Sequence, residues 1–203
     1  MIFDESEKRE VVSELKNSFD SIYNIREDSL KISRKSIQYA SKSIRSVHRQ
    51  ELNEAEEYLI ECQKCLSELM ILTYDYPMIK YNGFVVDAEK EMVEASLVLT
   101  FEKDSILLFP SELNVSAVGY VGGLGDAIGE WRRRSLDLLR QLQIDEASKY
   151  LSIMELGLDI LSELDYPDGM TGGLRRISDN ARSIIERTRS DITNASVQAQ
   201  LRV

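Results

Sequence analysis

Apolar and small residues recur at three- and four-residue intervals along most of the chain, which is the spacing of one face of an α-helix. Residues 1–76 contain neither glycine nor proline, which favours long helices. The first apolar line consists of Leu15, Phe19, Ile22, Leu30, Ser33, Ile37, Ala40, Ile44 and Val47. A second helix is predicted from about Leu52 to the break at Pro77. Its line consists of Ala55, Leu59, Cys62, Leu66 and Leu69.

Four further segments complete the predicted pattern. A third helix is expected from about Pro77 to Phe101, with Ala88, Met92, Ala95 and Leu99 in its core line, before a connecting loop over 102–116. A fourth is expected at about Val115–Gln141, and a fifth at about Asp145–Leu164 with Ala147, Leu151, Met154, Leu158 and Leu161 inward. After the turn-rich segment 166–173, a last helix begins near Leu174, with Ile177, Ala181, Ile184, Thr188 and Ile192 inward. One all-α domain over 1–203 is therefore predicted.

The charge of the chain restricts its partners. The net charge is −10, so an overall acidic surface would repel phosphates and a nucleic-acid role needs a local basic cluster. The predicted first helix carries such a cluster: Lys31, Arg34, Lys35, Lys42, Arg45 and Arg49. It is either an ordinary solvated face or a surface for phosphates. The sequence has no stretch of eighteen apolar residues and begins MIFDESEKRE, which is too acidic for a signal peptide, so a cytoplasmic protein is expected.

Residues 120–134, YVGGLGDAIGEWRRR, combine four glycines, two carboxylates and three arginines on one predicted helix. Each glycine inside a helix costs about 1 kcal/mol relative to alanine, and close approach of another helix or of a ligand would explain that cost. Asp126 and Glu130 share a helical face, as do Glu91 and Glu94 on the third helix. If the two helices pack together, four carboxylates converge on one place.

Such a cluster favours a hard divalent cation, because like charges repel and Mg²⁺ and Mn²⁺ prefer oxygen ligands. The ion would activate water for phosphodiester cleavage, while Arg132, Arg133 and Arg134 could hold neighbouring phosphates. A di-iron bundle would need E-x-x-H motifs, and the lone His48 lies outside both helices. The C-x-x-C pair Cys62 and Cys65 lacks two further zinc ligands, so core packing is predicted, with a metal or redox pair as the alternative.

Several segments together resemble the translin and translin-associated factor X family in its compact archaeal-like form. They are 26–49, 91–96, 109–134 and 166–192, and together they span nearly the whole chain beyond the first twenty residues. The most specific element is G-x-x-D-x-x-G-E-x-x-R, formed by Gly123, Asp126, Gly129, Glu130 and Arg133.

The resemblance implies an all-α fold of about seven helices that assembles into hollow homo-oligomers, commonly octamers. It also implies binding of single-stranded RNA and DNA. Members similar to translin-associated factor X are metal-dependent RNA endonucleases, and their acidic metal ligands match Glu91, Glu94 and Asp126, with Glu130 at an acidic position beside them. The chain departs from eukaryotic members in 80–83, where those have histidines and arginines, and in lacking their long insertion between the third and fourth helices.

Three functions follow as hypotheses. The first is a Mg²⁺- or Mn²⁺-dependent endoribonuclease for single-stranded RNA, and also for DNA, with Glu91, Glu94, Asp126 and Glu130 at its centre. Arg132, Arg133, Arg134, Arg45 and Arg49 would then contact nucleic acid. The second is a non-catalytic single-strand-binding scaffold or partner subunit. The third is an all-α nucleoside-triphosphate pyrophosphatase, against which the arginine-rich motif argues.

Overall fold

The computed structural model describes residues 4–201, and within them the chain forms nine α-helices and no strand. The long helices are α1 (Glu5–His48), α2 (Leu52–Leu72), α4 (Gly83–Asp104), α6 (Ala117–Arg140), α7 (Ile144–Ser162) and α9 (Leu174–Gln200). Three single turns are α3 (Pro77–Lys80), α5 (Pro110–Leu113) and α8 (Asp168–Thr171). The all-α prediction is confirmed. Residues 1–3 and 202–203 of the predicted 1–203 unit lie outside the described residues.

Three boundaries differ from the sequence prediction. The third helix does not run unbroken from Pro77, because the extended backbone of Asn82 (φ −75°, ψ 149°) separates α3 from α4. Helix α4 also continues past Phe101 to Asp104 and ends where Ser105 takes a left-handed conformation (φ 57°). The segments interpreted as loops contain α5 and α8. Each of these turns has only four residues, which is too short for a helical periodicity to be recognised.

Helix α4 lies at the centre of the fold. It packs against α1, α2 and α6, and on the other side of α6 lie α7 and α9. All four predicted core residues of α4 and all five of α2 are buried, which confirms both lines. Burial around α4 includes two acidic side chains, Glu89 and Glu94. Within residues 4–201, no helix combines the length and the apolar character needed to cross a membrane.

The first half of α1 is the main departure from the predicted packing. Leu15 and Phe19 belong to the first apolar line, but they are 53% and 66% exposed. The buried part of α1 begins at Ser29 and continues through Ala40 and Val47. A helix of 44 residues is about 66 Å long, whereas the 21 residues of α2 cover about 32 Å of it, so the N-terminal part of α1 extends beyond α2.

Glycines on α6 allow close helix packing. A Cβ built on Gly123 would lie 2.5 Å from Cβ of Val93 and 2.6 Å from the carbonyl oxygen of Lys90, both on α4. A Cβ on Gly125 would collide with Ile177 of α9. A Cβ on Gly129, by contrast, would meet nothing within 4 Å. Helix packing therefore explains two of these glycines, while Gly129 borders open space.

Candidate active site

The close contact of α4 and α6 brings the two predicted acidic pairs together. Glu94 is buried, and its pKa is raised to about 8 by burial and then by the charges of Glu91, Asp126 and Glu130. Burial first, and then Asp126 and Asp87, also raise the pKa of Glu91, although Lys90 opposes the rise. The four carboxylates thus act on one another electrostatically, as their spacing on two helices predicted.

A lysine that sequence reasoning did not single out lies within this acidic cluster. The Nζ atom of Lys90 lies 2.5 Å from a carboxylate oxygen of Asp126. Burial lowers the pKa of Lys90, but the hydrogen bond and charge of Asp126 outweigh it and leave the pKa above its usual value. The aliphatic stem of Lys90 crosses Gly122, where a Cβ would lie 3.0 Å from the lysine Cδ. Lys90 thus brings a positive charge into the carboxylate cluster.

His48 completes the cluster from the end of α1. Its Nε2 atom hydrogen-bonds the carboxylate of Glu130, and its side chain is only 6% exposed. Nδ1 is buried and has no hydrogen-bond partner among residues 4–201. The hydrogen bond from His48 lowers the pKa of Glu130, with further help from Arg133. The sequence had no signal for this contact, since the two residues are 82 positions apart.

The three consecutive arginines have three different environments. Arg132 hydrogen-bonds Thr188 at 2.7 Å and pairs with Asp191 at 2.9 Å on α9. Arg134 pairs with Glu102 at 2.8 Å, and both side chains are largely buried, so this pair braces the fold. Arg133 is 56% exposed and lies 3.6 Å from Glu130. Arg133 is therefore the member of the run that faces solvent beside the acidic cluster.

The predicted basic face of α1 is partly neutralised. Arg49 pairs with Glu51 at 2.5 Å and with Glu54 at 2.8 Å. Arg45 is exposed and, within residues 4–201, forms no side-chain hydrogen bond or ion pair. It lies one helical turn before His48, which contacts Glu130. Arg45 and Arg133 remain the predicted nucleic-acid contacts with free access to solvent.

Three further basic residues of this face, Lys31, Lys35 and Lys42, contact neighbouring side chains. Lys31 pairs with Asp28 at 3.0 Å, and Lys42 lies over the rings of Tyr39 and Tyr58. Lys35 also lies over Tyr39, 5.9 Å from the ring centroid. Such contacts leave the ammonium groups in solvent, so this face keeps its positive charge.

Cys62 and Cys65 are free and buried, which confirms that they pack in the core. The Ser36 hydroxyl contacts the Cys62 sulfur at 3.3 Å. Burial raises the pKa of the Cys62 thiol to about 11, so little reactive thiolate is present at neutral pH.

The donor set fits a hard cation. Glu91, Glu94, Asp126 and Glu130 offer only carboxylate oxygens, which Mg²⁺ and Mn²⁺ prefer, and their mutual repulsion would fall on binding an ion. Within the described part of the chain, no group of three or more His, Cys, Asp or Glu side chains is yet arranged to hold a metal. Lys90 occupies a position beside Asp126, so ligation requires this ammonium to move and the carboxylates to rotate.

The chain is similar in sequence to a known archaeal protein over most of its length. No family model matches the chain. An uncharacterised protein of Methanocaldococcus jannaschii is 29% identical over 181 residues, which cover 88% of this chain and 80% of that protein.

Solved structures are similar over most of the chain. A complex of the Archaeoglobus C3PO with duplex RNA has a TM-score of 0.86 and 30% identity, covering 92% of this chain and 97% of that chain. The Archaeoglobus C3PO without RNA has a TM-score of 0.83, with the same identity and coverage. The apo C3PO of Nematostella has a TM-score of 0.81 and 24% identity, covering 91% and 96%, and shares the fold.

Proposed function

The chain belongs to the translin and translin-associated factor X family, and on that premise we propose that it is a metal-dependent endoribonuclease. One observation carries the proposal: Glu91, Glu94 and Asp126 share one cluster on two facing helices, where burial and like charge raise the pKa of Glu94 to about 8. A buried cluster of this kind is stabilised by a bound cation. These three carboxylates would hold Mg²⁺ or Mn²⁺, with Glu130 as a further ligand or as the base.

The residues around the cluster suit phosphodiester hydrolysis. A bound divalent ion supplies Lewis-acid stabilisation of the phosphate and makes water more acidic. Glu130 is held by His48 with a lowered pKa, so its carboxylate stays ionised and can orient a water molecule and accept its proton. Arg133 places a guanidinium 3.6 Å from Glu130, where it can stabilise charge that develops on the phosphate. Lys90, once released from Asp126, offers a second positive charge.

The proposed partner is RNA, with single strands as the predicted substrate and DNA as a second one. The similar Archaeoglobus protein was solved with duplex RNA, so duplexes belong in the same assay. On this chain, Arg133 is an exposed cation beside Glu130, and the exposed Arg45 lies one helical turn before His48. The net charge of −10 makes local cations important, because an acidic surface as a whole repels a nucleic acid.

A non-catalytic RNA-binding subunit is the second candidate function. The ion pair between Lys90 and Asp126 favours it, because the lysine already neutralises one of the proposed metal ligands. The carboxylates would then stabilise the contacts of α6 with α4 through Lys90 and with α1 through His48. This candidate predicts RNA binding that falls steeply with salt and no metal-stimulated cleavage.

A cleavage assay on labelled RNA separates the two candidates. It compares Mg²⁺, Mn²⁺ and EDTA on a single strand and on the matching duplex. The variants are Glu91→Gln and Asp126→Asn, which keep side-chain volume but remove a charge. The matched control is Glu57→Gln, because Glu57 lies in an E-x-x-E pattern on α2 yet is exposed and far from the cluster in sequence.

The nuclease proposal expects metal-dependent products from the wild type and from Glu57→Gln. Both site variants should lose at least a hundredfold in rate while their thermal unfolding stays cooperative. Full activity in both variants would contradict the assigned centre. Retention of RNA in a gel shift without any product would support the binding subunit.

We further propose a homo-oligomer, with an octamer as the predicted size. The observation that supports assembly is the exposed apolar surface on the first half of α1, formed by Val11, Val12, Leu15, Phe19 and Tyr23. Surfaces of this kind are typical of subunit contacts. Light scattering should give a mass several times 23.2 kDa. The Phe19→Glu variant should lower that mass, and a monomeric wild type would contradict the proposal.

A further inference from the structure

A pocket of about 480 Å³ adjoins the acidic cluster on the side of α9. Its volume lies in the range of about 300–1,000 Å³ that is typical of small-ligand sites. Asp126 and Lys90 line it, so the pocket begins at the proposed metal site. Its other walls come from α4, α6, the α8 turn and the start of α9.

The pocket has room because two of the α6 residues that line it are glycines. Gly122 and Gly125 form part of its lining. A Cβ on Gly122 would push against the stem of Lys90, and a Cβ on Gly125 would collide with Ile177 on the opposite wall. The three helices therefore approach closely around the cleft.

Two polar side chains on α9 line the pocket without partners of their own. Arg176 and Asn180 are four residues apart, so they share one face of the helix. Both are exposed, and within residues 4–201 neither side chain forms a hydrogen bond or ion pair. Asp87 lines the pocket from α4. A free guanidinium, an amide and a carboxylate therefore surround one cleft beside the carboxylate cluster.

We propose that this pocket binds one nucleotide of the RNA strand next to the phosphate that is cleaved, with Arg176 on the following phosphate. Arginine suits this role because its planar fork donates two parallel hydrogen bonds to phosphate oxygens. The amide of Asn180 both donates and accepts, which suits the edge of an unpaired base. The inference rests on the proposed function, since it defines the substrate contacts of the same site.

Asp87 distinguishes a nucleotide from a free phosphate. Lys90 neutralises Asp126, but Asp87 forms no ion pair within the described residues. The negative charge of Asp87 therefore disfavours a free phosphate ion at its end of the pocket. A carboxylate accepts hydrogen bonds from ribose hydroxyls, and the 2′-hydroxyl is present in RNA alone. The pocket should therefore prefer a ribonucleotide within a chain to inorganic phosphate.

Neighbouring arginines offer a matched test. Arg175 and Arg176 are both exposed at the start of α9, but only Arg176 lines the pocket. Each change to alanine removes one positive charge from almost the same place. Fluorescence anisotropy would measure binding of a labelled eight-nucleotide single-stranded RNA in EDTA, over a range of salt concentrations. Inorganic phosphate and the DNA strand of the same sequence would be competitors. Circular dichroism would check that both variants fold.

The expected result is a loss of about tenfold or more in RNA affinity for Arg176→Ala, because a charge-assisted contact is lost. Its salt dependence should also decrease by about 0.7 in the log–log slope, the value for one phosphate of a single strand. Arg175→Ala should stay within about twofold. Equal losses in the two variants, or no loss in either, would overturn the assignment. The assignment would also be overturned if inorganic phosphate displaced the labelled RNA at the same nucleotide concentration at which unlabelled RNA does.

Binding in EDTA requires neither metal nor cleavage, so the two proposals can fail separately. Cleavage by the wild type, together with equal behaviour of the two arginine variants, would leave the nuclease and remove the pocket. A specific loss in Arg176→Ala without any cleavage by the wild type would keep the pocket as an RNA-binding site. It would then remove the catalytic function.

Discussion

The stability of the metal-free protein should fall as the pH rises through the neutral range, because of Glu94. The pKa of this carboxyl is raised from 4.5 to about 8 in the folded chain, by burial and then by Glu91, Asp126 and Glu130. In the unfolded chain the carboxyl returns to its ordinary value. Between these two pKa values the folded state keeps a proton that the unfolded state has released, so each rise in pH favours unfolding.

The size of the effect follows from one proton. A difference of one bound proton changes the free energy of unfolding by about 1.4 kcal/mol per pH unit. Between pH 5.5 and 7.5 the free energy of unfolding of the wild type should therefore fall by up to about 3 kcal/mol more than that of a variant without this carboxyl. In Glu94→Gln the amide does not titrate, so that part of the slope disappears. A saturating divalent ion should also flatten the slope, because it stabilises the ionised carboxylate that is otherwise unfavourable.

Urea unfolding in EDTA, followed by circular dichroism at half-unit steps from pH 5.5 to 8.5, measures this slope. The control is Glu57→Gln, which removes an exposed carboxylate of the same type and should keep the wild-type pH dependence. Parallel stability curves for the wild type and Glu94→Gln would refute the reasoning. They would mean that Glu94 releases its proton near its ordinary pKa, and that the cluster is more open to water than its burial indicates.

Three further predictions test other parts of the fold and site. Gly123→Ala should be about 1–3 kcal/mol less stable than Gly129→Ala in urea unfolding, because both gain the same helix propensity but only Gly123 meets immobile atoms; equal stabilities would contradict it. His48→Phe should move the acidic limb of the cleavage rate to higher pH, since the carboxylate loses the hydrogen bond that lowers its pKa; an unmoved limb would exclude a role for this contact. Arg134→Met should lower the free energy of unfolding by about 3 kcal/mol, because the buried Glu102 loses its cationic partner. The RNA affinity of the folded variant should stay unchanged. Weaker RNA binding would show that Arg134 contacts nucleic acid.

Hydrophobic periodicity correctly predicted the helices that pack one face against the core. The lines on α2 and α4 were identified correctly because each is covered along its whole length by other helices of the same chain. The same spacing at Leu15 and Phe19 gave the wrong environment, since an apolar face shows that a helix needs a partner but not where the partner lies. The break at Asn82 could not be predicted because no proline lies next to it. The apolar core line of α4 also begins only after this break, at Ala88.

The carboxylates of the site and Arg133 could be predicted, but the contacts of His48 and Lys90 could not. Glu91 with Glu94, and Asp126 with Glu130, are each spaced for one helical face, so local geometry alone pairs them. His48 reaches Glu130 only because α1 and α6 both pack against α4. No spacing within one helix carries that information. The same is true of Arg134, whose partner Glu102 was assigned to a loop but belongs to the last turn of α4.

The glycines of α6 connect the fold to the chemistry. Gly123 lets α6 approach α4 until the backbone of Lys90 is within reach, and this approach buries Glu94 among three other carboxylates. Alanine there would keep the helix but separate the acidic pairs, and with distance their repulsion would decline. The chain accepts the cost of glycine and the cost of buried like charge at the same place. Helix packing accounts for the glycine but not for the buried like charge, and this charge is what supports the proposed cation site.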